Sequence, residues 1–242
     1  MVVPVAPVAD IQLHFATSRF KWKFLQCSAL KVTMKNTERR ALSLDKVLEA
    51  SRLTLEGVGY NRMRTADVAK RSGMSEGTLF RYFPTKYDLT RASLQLALDR
   101  HTGRLLESIS LLPQPVERRQ LLDTLWDLLS HHEMAWTYEL FAASYSDPEL
   151  RAAIAPTLNA HSNEIDELAV VVLRDMAGIA PEDALLAINL STWAMQGLVL
   201  RNMARGQAES HVALLDYIVF LADSAYGRVE AKHSTELPAA LS

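Results

Sequence analysis

A single cysteine, Cys27, stands in 242 residues, so no internal disulfide can staple the fold and no cysteine-based zinc site can be built. That usage favours a reducing compartment, and the cytoplasm is the expected location. Long hydrophobic runs are scarce as well. No apolar stretch approaches the ~18 residues of a membrane span, and the opening VVPVAPVA contains prolines and lacks a basic leader, so neither a membrane segment nor a signal peptide is expected. Catalytic patterns are missing too: there is no HExxH, no Ser-His-Asp spacing, no Gly-rich phosphate loop and no pair of carboxylates that stands out on one face. No enzymatic activity and no cofactor are expected. His131-His132-Glu133 invites a metal reading, but adjacent residues on a helix point about 100° apart and do not converge on one ion, so no metal is expected.

What the chain does have is apolar content and an uneven charge. Hydrophobic residues make up 49%, enough for a packed core. The net charge is only −2, yet residues 34–90 carry 11 Lys and Arg against 7 Asp and Glu, while residues 91–242 carry 11 against 20. A basic end suits a polyanion that an acidic remainder would repel, so the asymmetry orients the molecule on nucleic acid.

The stretch Thr65 to Tyr87, TADVAKRSGMSEGTLFRYFPTKY, organises the rest. Val68 and Ala69 face inward from one short helix, Gly73 supplies a turn, and the Ser75 hydroxyl caps a second helix. Leu79 and Phe83 point back, while Ser75, Thr78, Arg81 and Tyr82 face outward as a donor-rich surface suited to a DNA major groove. Thr65 can cap the first of the two helices, with Asp67 in its first turn.

Gly59-Tyr60, Asp67-Val68-Ala69, Gly73-Met74-Ser75, Gly77-Thr78-Leu79-Phe80-Arg81-Tyr82-Phe83, Lys86 and Leu89 together resemble the signature of the TetR-type transcriptional regulators. The resemblance covers roughly Ala41 to Arg100. It implies an all-α fold, with a three-helix DNA-binding head joined to a larger helical body that binds an effector and dimerises. On that resemblance Thr65 sits where family members touch a phosphate, and Arg64 fills a slot that more often holds a small hydroxyl residue. Gly77 lets the backbone approach the duplex. Thr78 offers a methyl or hydroxyl to a base edge, and Arg81 can fork to a guanine or hold a phosphate. Tyr82 and Lys86 read as phosphate clamps. Glu76 departs from the Lys of many members, and Phe80 lacks the hydroxyl of the commoner Tyr; both bear on which operator is read.

The expected organisation is an N-terminal extension over 1–40, disordered or upstream of a start at Met34; a helix-turn-helix domain over 41–100; an effector-binding and dimerisation domain over 101–230; and a tail over 231–242. In the extension, Phe15, Arg19, Phe20, Lys21, Trp22, Lys23 and Phe24 interleave basic and aromatic side chains, a composition that can grip a minor groove or a membrane surface. The first helix is expected from Ser43, ended by Gly57 and Gly59. A helix from Lys86 runs towards Leu106 and bridges head and body. Later helices are read around Leu121–Leu129, from Met134 to Tyr145, from Pro148 behind an Asp147 cap with Pro156 as a kink or interruption, from Pro181 to Gly206, and through Val212 to Gly227. That makes about nine helices and no strand.

Trp126, His131, His132, Trp136, Tyr138, Phe141, Trp193, Met195 and Gln196 combine large apolar surfaces with a few polar tips, the composition of a small-molecule site, and suggest a hydrophobic or aromatic effector. The last two helices, over 187–200 and 211–225, have small and apolar faces that fit a four-helix bundle with a second copy. The expected partners are therefore a double-stranded DNA operator, a small-molecule effector and a second copy of the chain, with no membrane. The favoured function is a homodimeric repressor released by its effector. The alternative is a DNA-bound adaptor or activator that acts through a protein partner without an effector.

Overall fold

The computed structural model describes residues 36–113, 116–177, 180–206 and 210–234. The basic and aromatic cluster before Lys35, the start at Met34 and the end of the expected tail lie outside them. Nine α-helices are present among the described residues: α1 Asn36–Arg62, α2 Thr65–Ser72, α3 Glu76–Tyr82, α4 Lys86–Ser110, α5 Arg118–Leu129, α6 Ala135–Ser146, α7 Pro148–Ala177, α8 Pro181–Arg205 and α9 Val212–Ser234. A 3-10 turn, His132–Met134, leads into α6. No strand occurs among the described residues, and the protein is all-α, as the pattern implies.

These residues form two compact units. One holds residues up to 103 together with 131–163, the other 104–130 and the chain from 164 onward. Helices α4 and α7 each begin in the first unit and continue into the second. In the first unit α1 packs on α2 and α6 around Val47, Leu55, Val68, Leu79, Leu89 and Leu140, all fully buried. In the second, α5, α8 and α9 pack together, with Leu122, Trp126, Met195 and Leu215 buried among them.

The boundaries of α1 correct the sequence reading. It begins at Asn36, not Ser43, and runs straight through Gly57. A helix-interior glycine costs only ~1 kcal/mol, which the buried Leu55 and Tyr60 on either side offset. The break is at Gly59, with φ 76° and ψ 170°, a conformation that essentially only glycine adopts. By the same logic α9 does not stop at Gly227 but continues to Ser234. Pro156 lies inside an uninterrupted α7. Its missing donor would have bonded the Ala152 carbonyl, and both residues are exposed, so solvent can take that carbonyl. The Asp147 cap is as read: its Oδ1 accepts the Leu150 N–H at 2.9 Å, directly before Pro148.

One helix overturns the expectation about apolar runs. Within Asp183–Arg205 in α8 an 18-residue stretch reaches a mean hydropathy of 1.2, and the helix has the length and composition of a membrane span. Its polar residues are mostly uncharged (Asn189, Ser191, Thr192, Gln196), with charges left to the ends at Asp183, Arg201 and Arg205. Only 22% of that stretch is buried within the chain. The outward side chains Leu186, Leu190, Trp193 and Leu200 fall at i, i+4, i+7 and i+14, a stripe along one helical face.

Candidate nucleic-acid interface

The turn between α2 and α3 is fixed by backbone chemistry. Gly73 takes the left-handed conformation, φ 73° and ψ 24°. Its N–H reaches the Lys70 carbonyl at 3.2 Å, and the Met74 N–H reaches Ala69 O at 2.9 Å. This is a Schellman closure, and it satisfies carbonyls that the end of α2 would leave orphaned. Two residues later Ser75 opens α3: its Oγ accepts the Thr78 N–H at 3.2 Å and lies 2.8 Å from the Thr78 hydroxyl. Val68, Ala69, Leu79 and Phe83 are buried, which pins the two helices through their inner faces.

With Leu79 inside, helical geometry turns Glu76, Gly77, Phe80 and Arg81 outward, and all four are exposed. Thr78 and Tyr82 are half-buried beside them. A side chain added at Gly77 would meet nothing within 4 Å, so the backbone there is open to close approach. Arg64, Arg62, Lys70 and Arg71 are also exposed on this unit. The α3 surface thus offers a guanidinium fork, hydroxyl donors and an aromatic edge on a rigid, capped helix.

Beyond Ser75 and Thr78, the expected contacts Thr65, Glu76 and Lys86 are also already engaged. Thr65 is not the cap of α2 but its first residue; Arg64 holds the cap position, with extended backbone and no side-chain capping bond. The Thr65 hydroxyl instead donates to Glu76 Oε1 at 2.9 Å, which ties the start of α2 to the first turn of α3. Lys86 Nζ donates to the Tyr60 carbonyl at 2.9 Å and sits 4.2 Å from the centre of the Tyr60 ring. Burial pushes its ammonium below the usual lysine range. Burial, helped by Asp147 and Tyr87, raises the Tyr60 phenol to about 12.

Several residues that hold this surface in place escaped the sequence reading. The Glu139 carboxylate on α6 accepts the backbone N–H of Tyr60 at 3.0 Å and of Asn61 at 3.1 Å. Tyr87 donates to Asp147 Oδ2 at 3.3 Å. Thr85 and Asp88 form a reciprocal cap for α4: Asp88 Oδ2 accepts from Thr85 N and Oγ1, and Thr85 Oγ1 accepts the Asp88 N–H. Thr85-x-x-Asp88 is a capping-box spacing, and it was the available signal. Glu139 had none, and the cap signal at Asp147 did not point to Tyr87, since both bonds span more than fifty residues.

The residues read as an effector wall divide between the units: His131, Trp136, Tyr138 and Phe141 lie in one, Trp126, Trp193, Met195 and Gln196 in the other. Trp136, Tyr138, Trp126 and Met195 are buried, and burial raises the Tyr138 phenol to about 12. Trp126 stacks on His211 with ring centres 4.4 Å apart. Trp193 is 64% exposed and belongs to the outer stripe of α8. His131-His132-Glu133 does not lie on an α-helix, so its side chains are not fixed 100° apart: His131 is extended, φ −61° and ψ 135°, and the 3-10 turn follows.

A capped helix-turn-helix in an all-helical chain defines a DNA-binding regulator. The family described as bacterial regulatory proteins, tetR family, matches residues 47–92, from within α1 to the first turns of α4. The chain is 31% identical over 135 residues to an HTH-type transcriptional regulator of Mycobacterium tuberculosis, covering 54% of this chain and 68% of that one. It is 28% identical over 169 residues to the HTH-type transcriptional regulator CymR of Pseudomonas putida, covering 69% and 82%. Among solved structures, a transcriptional regulator from Rhodococcus sp. Rha1 shares the fold with a TM-score of 0.60 at 20% identity, over 76% of this chain and 97% of that one. The FadR regulator from Bacillus subtilis, in complex with stearoyl-CoA, does so with a TM-score of 0.54 at 21% identity, over 73% and 96%. The chain belongs to the tetR family of bacterial regulatory proteins, and it is a transcriptional regulator.

Proposed function

We propose that the protein is a cytoplasmic homodimeric repressor, held on a double-stranded operator by α2 and α3 of each copy and released by a small hydrophobic or aromatic effector. The observation that carries this reading is the outward face of α3, where Gly77, Phe80 and Arg81 stand exposed on a helix fixed by the buried Leu79. Arg81 forks to a base edge or a phosphate, Thr78 meets a base edge, and Arg64, Thr65, Ser75, Tyr82 and Lys86 hold the backbone. In this reading residues 41–100 form the DNA-binding head and 101–230 the body that senses and dimerises.

Dimerisation is supported by the stripe on α8, joined on α9 by the exposed Tyr217, Phe220 and Leu221. Apolar side chains repeating along a helix in this way need a partner surface, and a second copy supplies it as a four-helix bundle. Two heads would then sit in successive major grooves, roughly 34–36 Å apart. The effector reading is supported by Trp136. Its indole N–H is buried with no hydrogen-bond partner in the structure, a donor that an acceptor on a bound molecule would satisfy. FadR, a protein of the same fold, is in complex with stearoyl-CoA, a ligand with a long apolar chain.

The test is titration of the purified protein with its own upstream DNA at fixed salt, with and without a panel of hydrophobic and aromatic small molecules. Specific binding released by one chemical class is expected, by about 5- to 150-fold for a coupling of ~1–3 kcal/mol. Specific binding that no ligand alters would favour the adaptor acting through a protein partner. Trp193→Glu, a change on an exposed face, should leave the fold intact, halve the mass in sedimentation and lower operator affinity; an unchanged mass would take α8 out of the interface.

A further inference from the structure

We propose that His131, His132 and Glu133 form a binding site for a divalent transition metal, independent of whether the effector reading holds. Three consecutive residues on an α-helix cannot share an ion, but here the backbone leaves helical geometry. His131 is extended and the next three residues turn as a 3-10 helix, which folds the three side chains towards one point. Their ligand atoms all lie within 4.8 Å of one another. The two imidazole centres are 4.4 Å apart with a tilt of 38°, and His131 Nδ1 is 3.9 Å from Glu133 Oε2. Ligand bonds of ~2.0–2.2 Å in a tetrahedral site put neighbouring ligand atoms about 3.3–3.6 Å apart, so side-chain rotations that shorten the separations by up to roughly 1.5 Å close the trio on an ion. The bond from the Glu133 N–H to His131 Nδ1 is long at 3.4 Å and readily exchanged.

The donor set selects the metal. Two imidazoles and one carboxylate suit zinc, cobalt or nickel far better than magnesium or calcium, which prefer all-oxygen shells. Three protein ligands leave a fourth position for water or for a donor atom of another molecule. The charges nearby leave Glu133 available to a cation. Glu133 lies 3.6 Å from Arg52 Nη1, but Arg52 is held more closely by Glu49, at 2.5 Å, and by Glu56. Arg100 adds a second cation on Glu49 at 3.0 Å. The group therefore counts three carboxylates against two guanidinium ions. Glu133 is the partner of Arg52 most easily given up, because two nearer carboxylates remain. Six residues beyond Glu133 on the same segment, Glu139 holds the backbone of α1 at Tyr60 and Asn61, so an ion here would stiffen the turn that leads into that contact.

The test is calorimetry on the full chain, free of any purification tag and stripped of metal, titrated with zinc chloride and then separately with cobalt chloride. One equivalent of zinc per chain is expected, with Kd of ~1 µM or tighter. Cobalt should give the visible absorption of a four-coordinate site. His132→Ala, at an exposed position, and Glu133→Gln should each weaken zinc binding by ~10- to 100-fold or more, with circular dichroism unchanged. Absence of saturable zinc binding would overturn the proposal, as would binding that both variants leave intact, since the ion would then sit elsewhere in the chain.

Discussion

Glu139 on α6 closes the end of α1 by accepting the Tyr60 backbone N–H at 3.0 Å, and its other oxygen takes the neighbouring Asn61 N–H at 3.1 Å. Gly59 makes this possible. Its conformation turns two successive N–H groups in one direction, and a side chain there would collide with the Glu139 carboxylate. On the other side of the same peptide the Tyr60 carbonyl accepts from Lys86. The corner between α1 and α2 is therefore gripped by one anion and one cation, from α6 and α4 respectively.

Removal of that grip has a measurable cost. Glu139→Ala leaves a partly buried N–H without its charged acceptor and should cost about 1.5–3 kcal/mol. Gly59→Ala forces a conformation reserved for glycine and should cost about 1–3 kcal/mol. Because the added methyl meets the Glu139 side chain itself, the two changes should be less than additive in urea denaturation. Full additivity would mean that backbone strain alone sets the glycine requirement.

The core of the helix-turn-helix was legible in the sequence, and the grip around it was not. Gly73 and Ser75 act through bonds to residues within five positions of themselves, so their spacing carried the turn and the cap. The burial of Val68, Leu79 and Phe83 followed from helical period alone. Glu139 carries no local signature, because a carboxylate facing a backbone some eighty residues away looks like any solvated acid; Asp147 was legible as a cap, but its bond to the Tyr87 hydroxyl sixty residues away was not. Thr65 illustrates the limit of local rules: a hydroxyl residue at a helix start reads as a cap, yet the nearby Glu76 carboxylate captured it. The same limit applies to His131–Glu133, where one extended residue changed which side chains meet.

Acid should weaken the fold through His161. Burial holds its imidazole below the usual 6.5, with Thr102 Oγ1 3.5 Å from Nδ1 and the His101 ring 6.0 Å away. Folding thus favours the neutral form. Above pH 6.5 both folded and unfolded states are neutral at this site and the stability is fully present. As pH falls below that value the unfolded chain binds a proton that the folded chain resists, and stability drops by up to ~1.4 kcal/mol per pH unit until the folded site titrates. His161→Gln should flatten this slope in urea midpoints compared at about pH 7.5 and about pH 5.5. An unchanged slope would assign the acid sensitivity to other groups.

Lys86 should show two effects at once. Its ammonium already bonds the Tyr60 carbonyl and faces the ring, and it has further N–H donors to offer a phosphate. Lys86→Ala should therefore lower thermal stability and also reduce the slope of log affinity against log salt by about one. Lost stability with an unchanged salt slope would make it purely a structural cation.

Reading of DNA by α3 through Arg81 is tested by comparing the wild-type chain and Arg81→Ala on an operator and its single-base variants at one salt concentration. Arg81 is exposed, so the fold should be unaffected. The expected result is a loss of ~1–3 kcal/mol on the operator, with discrimination relaxed at one base pair. Equal affinity of the two proteins for every sequence would contradict it.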